Sequence, residues 1–160
     1  MATIVVGVDG SDSAQEALLF AVQEARLRGA GVRAVMGVHL LTMAYGGMSG
    51  WGPGGAGLDP TELEERARAT LDRAVDALGD PAGVEVERVV DFGQPAQVLI
   101  DEARGADLLV VGSRGHGGFA GLILGSVSHQ CAMHASCPVV IVHAKPDSNT
   151  VSPSVTRGDD

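Results

Sequence analysis

Apolar residues along the chain alternate between short unbroken runs and longer stretches of helical spacing. Residues 3–8, TIVVGV, are β-branched, lack a polar face and stop at Asp9-Gly10, which predicts a strand buried on both sides. Ala14, Ala17, Leu18, Ala21, Val22 and Ala25 then recur at helical spacing up to Gly29, and Ser13 with Glu16 reads as a capping box opening that helix. Residues 32–41 predict a second strand, and residues 60–78 a second helix with Pro60 in its first turn. Residues 84–92 alternate, with Glu85, Glu87 and Arg88 at polar positions that suit an edge strand. Pro95 opens a third helix reaching Gly105. Residues 107–111 form a fourth strand, residues 126–135 a fourth helix and residues 138–143 a fifth strand.

Strands that alternate with helices, joined by connections long enough for crossovers, predict an α/β fold: an open parallel sheet with helices on both faces. In such sheets ligands bind beyond the carboxyl ends of the strands, where strand order reverses. Asp9 after the first strand and Gly112 after the fourth are the strand ends with unusual chemistry. One crevice holds both if those strands are neighbours.

Two segments depart from the pattern. In residues 42–59, an insertion expected to be flexible, seven of the twelve residues 46–57 are glycine. It holds the only tryptophan, Trp51, and the only tyrosine, Tyr45, so it reads either as a lid over a ligand or as an insertion with incidental aromatics. Residues 146–160, rich in Ser, Thr, Pro and Asp, are expected to be a disordered tail. The remainder, residues 1–145, has the length of a single domain.

Charge narrows the partners. With 11 Lys plus Arg against 20 Asp plus Glu, the net charge is -9, which repels a polyphosphate backbone and argues against nucleic acid. No signal sequence opens the chain and no apolar run approaches the roughly 18 residues that span a bilayer, so no membrane partner and a cytoplasmic location are expected. Cys131 and Cys137 lack redox or zinc spacing and read as reduced, buried thiols; the histidines show no H-E-x-x-H arrangement, so no metal site is expected.

The chemistry concentrates in GSRGHGGFAGLILGS, residues 112–126, with six glycines in fifteen residues. Gly112 and Gly115 let backbone N–H groups approach phosphate oxygens, and Gly125-Ser126 stands where a helix starts, offering free N–H groups, the helix dipole and the Ser126 hydroxyl. The plainer reading is a tight strand-to-helix connection with a capping serine. A Walker A loop is excluded, because the sole lysine, Lys145, lies outside the segment. The substring from Gly115 to Ala120 fits G-x-G-x-x-G/A but follows the fourth strand instead of the first, which marks an accidental match. Asp9 also has a plainer role as a turn residue.

Gly112-x-x-Gly115, nine residues, then Gly125-Ser126, with Asp9 closing the first strand and PVVIV closing the fold, resembles the nucleotide-binding form of the universal stress protein family over residues 2–144. The resemblance implies a five-stranded parallel sheet ordered 3-2-1-4-5, Rossmann-like and close to the adenine nucleotide alpha hydrolase fold. It implies Asp9 and Val38 as contacts for the adenine and ribose end, Gly112, Gly115, Gly125, Ser126 and the Val127 backbone as phosphate contacts, and Ser128 as a further hydroxyl. Arg114 and His116 stand where the loop approaches phosphate and join the expected site. The implied ligand is ATP, with or without Mg2+, with cyclic AMP or another adenine nucleotide as alternatives. Nothing resembles a dedicated base paired with a metal-binding carboxylate, so a regulatory, stress-response role with slow or no hydrolysis is expected, and a slow ATPase or a nucleotide-free interaction module are the alternatives. The family dimerises through its last strand, which implies a homodimer through Val139–Val142.

Overall fold

A computed structural model of the chain describes residues 2–39, 59–81, 83–115 and 124–145. The glycine-rich insertion with Tyr45 and Trp51, the tail and His116 lie outside the described residues. The strands are β1 (Thr3–Gly7), β2 (Gly31–Val38), β3 (Val86–Phe92), β4 (Leu108–Gly112) and β5 (Val139–Val142); the helices are α1 (Asp12–Arg28), α2 (Pro60–Asp76), α3 (Pro95–Glu102) and α4 (Ser126–His134). Each corresponds to a segment expected from the hydrophobic pattern, with ends displaced by a few residues at most.

All pairings are parallel and the sheet order is β3-β2-β1-β4-β5. Two cores form because alternate strand residues face opposite ways. Ile4, Val6, Ala34 and Val110 pack with Leu18 of α1 and Leu63 and Leu71 of α2. Val5, Val35, Leu109 and Val111 pack with Leu99 of α3 and Cys131 of α4. Burial of each such branched side chain stabilises the fold by about 1.5–3 kcal/mol, which explains why β1 and β4, central in the sheet, are apolar throughout.

The edges differ in kind. At the outer edge, β3 carries charge: Arg33 of β2 bonds Glu87 at 2.7 Å and Glu102 of α3 at 3.2 Å, and Arg88 pairs with Asp72 at 3.2 Å and Asp76 at 2.8 Å on α2. At the opposite edge β5 is four aliphatic residues, all half-buried.

One local expectation is corrected. The N-cap of α1 is Ser11, not Ser13: the Asp9 carboxylate accepts the Ser11 N–H at 2.8 Å, and the Ser11 hydroxyl accepts the Ala14 N–H at 3.3 Å. The Asx turn starts the helix two residues earlier, so Ser13 lies inside the first turn. Glu16 instead meets Lys145 at 3.3 Å, which ties α1 to the chain leaving β5.

Candidate functional site

Pairing of Ile4 with Leu108 and Val6 with Val110 sets β1 and β4 side by side, so Asp9 and Gly112 emerge together at the carboxyl end of the sheet. Gly112 lies directly against the start of α1. A Cβ there would stand 2.6 Å from Ser13 Oγ and 2.8 Å from the Ala14 nitrogen, so only glycine fits. The chain then turns beneath the crevice, as the Ser113 N–H donates to the Val142 carbonyl at 2.7 Å. The Ser113 carbonyl accepts the Gly125 N–H at 2.7 Å and the Ser128 hydroxyl at 3.1 Å. The two ends of the glycine-rich loop therefore meet.

Gly115 faces Asp9: a Cβ on it would lie 2.6 Å from Asp9 Oδ2, while Oδ1 is held by Ser11. Across from this pair is the start of α4. Its N-cap is Gly125, with φ -73° and ψ 166°, which brings no side chain to cap the helix. The N–H groups of Ser126, Val127 and Ser128, and that of Gly115, have no acceptor among the described residues. Amides left open at a helix start carry roughly half a positive charge and receive an anion. Arg114 is exposed beside them and makes no ion pair among the described residues.

An open crevice of about 480 Å³ runs between this loop, the start of α1 and the end of β5, lined by Ser11, Ser13, Arg114, Gly115 and His143. Another hollow of about 300 Å³ sits beside α2 and β3, where its one cation, Arg88, is already paired with Asp72 and Asp76. It offers no free donor comparable to the bare amides.

Residues 1–143 match the universal stress protein family. The chain belongs to that family. A universal stress protein of Mycolicibacterium smegmatis is 37% identical over 143 residues, covering 89% of this chain and 46% of that relative. The Mycobacterium tuberculosis universal stress protein Rv3134c is 36% identical over 146 residues, covering 89% of this chain and 49% of the relative. The chain thus spans about half the length of these curated relatives. Among solved structures, a universal stress protein in complex with cAMP superposes with a TM-score of 0.67 at 28% identity, covering 90% of this chain and 98% of the other. The Archaeoglobus fulgidus universal stress protein in complex with dAMP does so with a TM-score of 0.65 at 29% identity, covering 89% and 98%.

Within this universal stress protein fold, the residues expected at the site are not all brought together. Asp9, Gly112, Arg114, Gly115, Gly125, Ser126 and Val127 gather around the junction of the loop with α1 and α4. Ser128 requires correction: it is 1% exposed, and its hydroxyl points at the Ser113 and Gly125 carbonyls at 3.1 and 3.0 Å. Its single proton is used inside the fold, so the hydroxyl braces the loop from below. Val38 ends β2 on the same rim, but its side chain is 1% exposed in the core and its carbonyl accepts the Gly93 N–H at 3.0 Å. His116 lies outside the described residues. Ser11, Ser13 and His143 border the crevice without having been singled out as site residues; only their neighbourhood in space reveals them.

Proposed function

We propose that this universal stress protein domain binds an adenine nucleotide, ATP foremost, and acts as a nucleotide-dependent regulator in the stress response, with slow or no hydrolysis. The observation that carries the reading is the set of bare N–H groups of Gly115, Ser126 and Val127, on a loop whose glycines let it close against α1, Asp9 and the start of α4. Amides in that arrangement fit phosphate oxygens. The Asp9 carboxylate can only accept when ionised, so it suits ribose hydroxyls or the adenine amino group and repels the phosphates. This sets the orientation: base and sugar toward Asp9 and the end of β2 at Val38, phosphates toward α4, with Arg114 on the phosphate side. The complexes of the solved relatives with cAMP and dAMP support the adenine assignment.

Little in the crevice favours turnover. Asp12 and Arg114 are the ionised side chains that line it, with Asp9 against Gly115, whereas rapid phosphoryl transfer requires both a water-positioning group and compensation of charge on the transferred group. Phosphate release slower than about 1 per second is expected. The aliphatic edge of β5 supports a homodimer through Val139–Val142, since an unpaired apolar strand edge favours pairing with another chain.

Isothermal titration with ATP, AMP and cyclic AMP, before and after Gly115→Val, tests the reading. A Val at 115 drives its Cβ into the Asp9 carboxylate and displaces it together with the loop amide, so ATP affinity is expected to fall more than tenfold with the fold intact. Absence of any binding by the unmodified protein would leave only an interaction module. Tighter binding of cyclic AMP than of ATP would reassign the ligand while keeping the site.

A further inference from the structure

We propose that Ser13 is a positioning residue for the anion grip, holding the Arg114 carbonyl against α1 so that the Gly115 N–H is aimed at the mouth of α4. The inference rests on the nucleotide-binding reading above and assigns to it a residue from a distant part of the chain.

Ser13 is 5% exposed in the first turn of α1. Its hydroxyl donates to the Arg114 carbonyl and lies 3.4 Å from the Arg114 nitrogen, which donates back. The Ser11 hydroxyl is 3.4 Å from the same carbonyl, at its outer side. A trans peptide directs its carbonyl and the following N–H to opposite sides. With the Arg114 carbonyl turned to α1, the Gly115 N–H must point away from α1. What lies there is α4: the Gly115 nitrogen is 3.7 Å from the Cβ position of Gly125. That N–H has no acceptor among the described residues, and its nitrogen lies beside the residue that caps α4, whose first amides are open too.

The need for such a clamp follows from the glycine. A Cβ at position 115 would stand 2.6 Å from Asp9 Oδ2 and push that carboxylate aside, which favours glycine there. A residue without Cβ has an open φ range, so the peptide preceding it can rotate and turn its N–H out of the crevice. Loop geometry alone leaves the donor unaimed. A buried hydrogen bond from a rigid helix supplies the main restraint, and removal of the Ser13 hydroxyl leaves only the longer contact of the Ser11 hydroxyl on that carbonyl.

A purely structural Ser13 would lower stability and leave the balance between phosphate and nucleoside contacts unchanged. The test therefore compares adenosine, AMP and ATP, titrated into the unmodified chain, S13A and S13C, with the Gly115 amide followed by 1H-15N correlation spectra. Cys keeps the volume of the site with a weak donor, and serves should S13A fail to fold. In either variant AMP and ATP are expected to bind about tenfold more weakly, the effect of one misdirected hydrogen bond to a charged group, with adenosine within about twofold. In the unmodified protein AMP should move the Gly115 amide proton downfield, a shift that the variants lose while the Val127 amide keeps its own. Equal losses for adenosine and AMP, unchanged AMP affinity in the folded variants, or a Gly115 amide indifferent to bound AMP would each overturn the clamp and leave the nucleotide site standing. Failure of the unmodified protein to bind AMP or ATP overturns both.

Discussion

Two helices begin at the same end of the sheet, and they begin differently. The start of α1 is closed by its own chain: Ser11 caps it, Asp9 holds the Ser11 N–H, Asp12 supplies a negative charge in the first turn, and Gly112 is pressed against it. The start of α4 has Gly125 as its cap, no acidic residue in the first turn, and amides facing open space. Helices normally satisfy their first N–H groups with Ser, Thr, Asp or Asn. In the proposed reading the closed helix start serves as an anvil for the loop, and the open one, whose cap brings no side chain, as the receiver of phosphate.

The largest expected effect breaks the closed side. Gly112→Val forces a side chain into Ser13 Oγ and the backbone of Ser13 and Ala14 at 2.6–2.8 Å, so urea denaturation should show a loss of about 3 kcal/mol. Stability within error of the unmodified chain would mean that α1 and the loop are not packed as described.

Next is the base on which the open helix stands. Burial pushes the Cys131 thiol of α4 up to about 11, and burial raises that of Cys137 as well. Above about pH 9 the unfolded chain releases a thiol proton that the folded chain retains, so the unfolded state binds fewer protons and stability falls as pH rises. Between pH 9 and 11 this contributes roughly 2 kcal/mol of decline at Cys131. Urea titrations across that range should lose the corresponding slope in Cys131→Ala.

Gly125→Asp sharpens the contrast directly, by giving α4 the cap that α1 already has. Its extended backbone accepts the side chain, and the nearest atoms to a Cβ, Arg114 Cα and the Ser113 carbonyl oxygen, are 3.4 Å away. Affinity for ATP should drop more than tenfold, as a carboxylate takes the phosphate's place, while stability rises by a few tenths of a kcal/mol. Unchanged ATP affinity in this variant would show that the bare helix start is not where phosphate binds. The smallest effect is Ser11→Ala, a lost cap expected to lower stability by about 1 kcal/mol in the same urea assay.

Much of this architecture is legible in the sequence because burial dictates it. TIVVGV has no polar face, which marks a buried strand, and the charges at Glu87 and Arg88 suit an edge better than a centre; VVIV is as apolar yet ends the sheet, so apolarity alone does not place a strand. The glycines at 112, 115 and 125 are legible too, because their spacing resembles the nucleotide-binding motif of the universal stress protein family. What could not be read is contact between distant segments. Ser13 reads as a cap because local spacing alone places Glu16 three residues on; only the fold brings the Arg114 carbonyl to it across 101 positions. Ser128 looks like a donor to ligand for the same reason, as nothing local reveals that the Ser113 carbonyl waits beneath it. Val38 is an aliphatic residue at a strand end, where the sequence does not separate a backbone contact with ligand from ordinary core packing.

Gly115, Ser126 and Val127 contribute through groups that nearly every amino acid possesses. In the proposed site, exchanging one residue type for another at Gly115 or Val127 leaves the main-chain donor as it was; bulk can obstruct it, and only proline deletes it. Such a holder is hard to retune by substitution and easy to switch off. Preference among ligands of equal charge must then be written on the rim, in the few side chains such as Asp9 and Arg114 that differ chemically from their replacements.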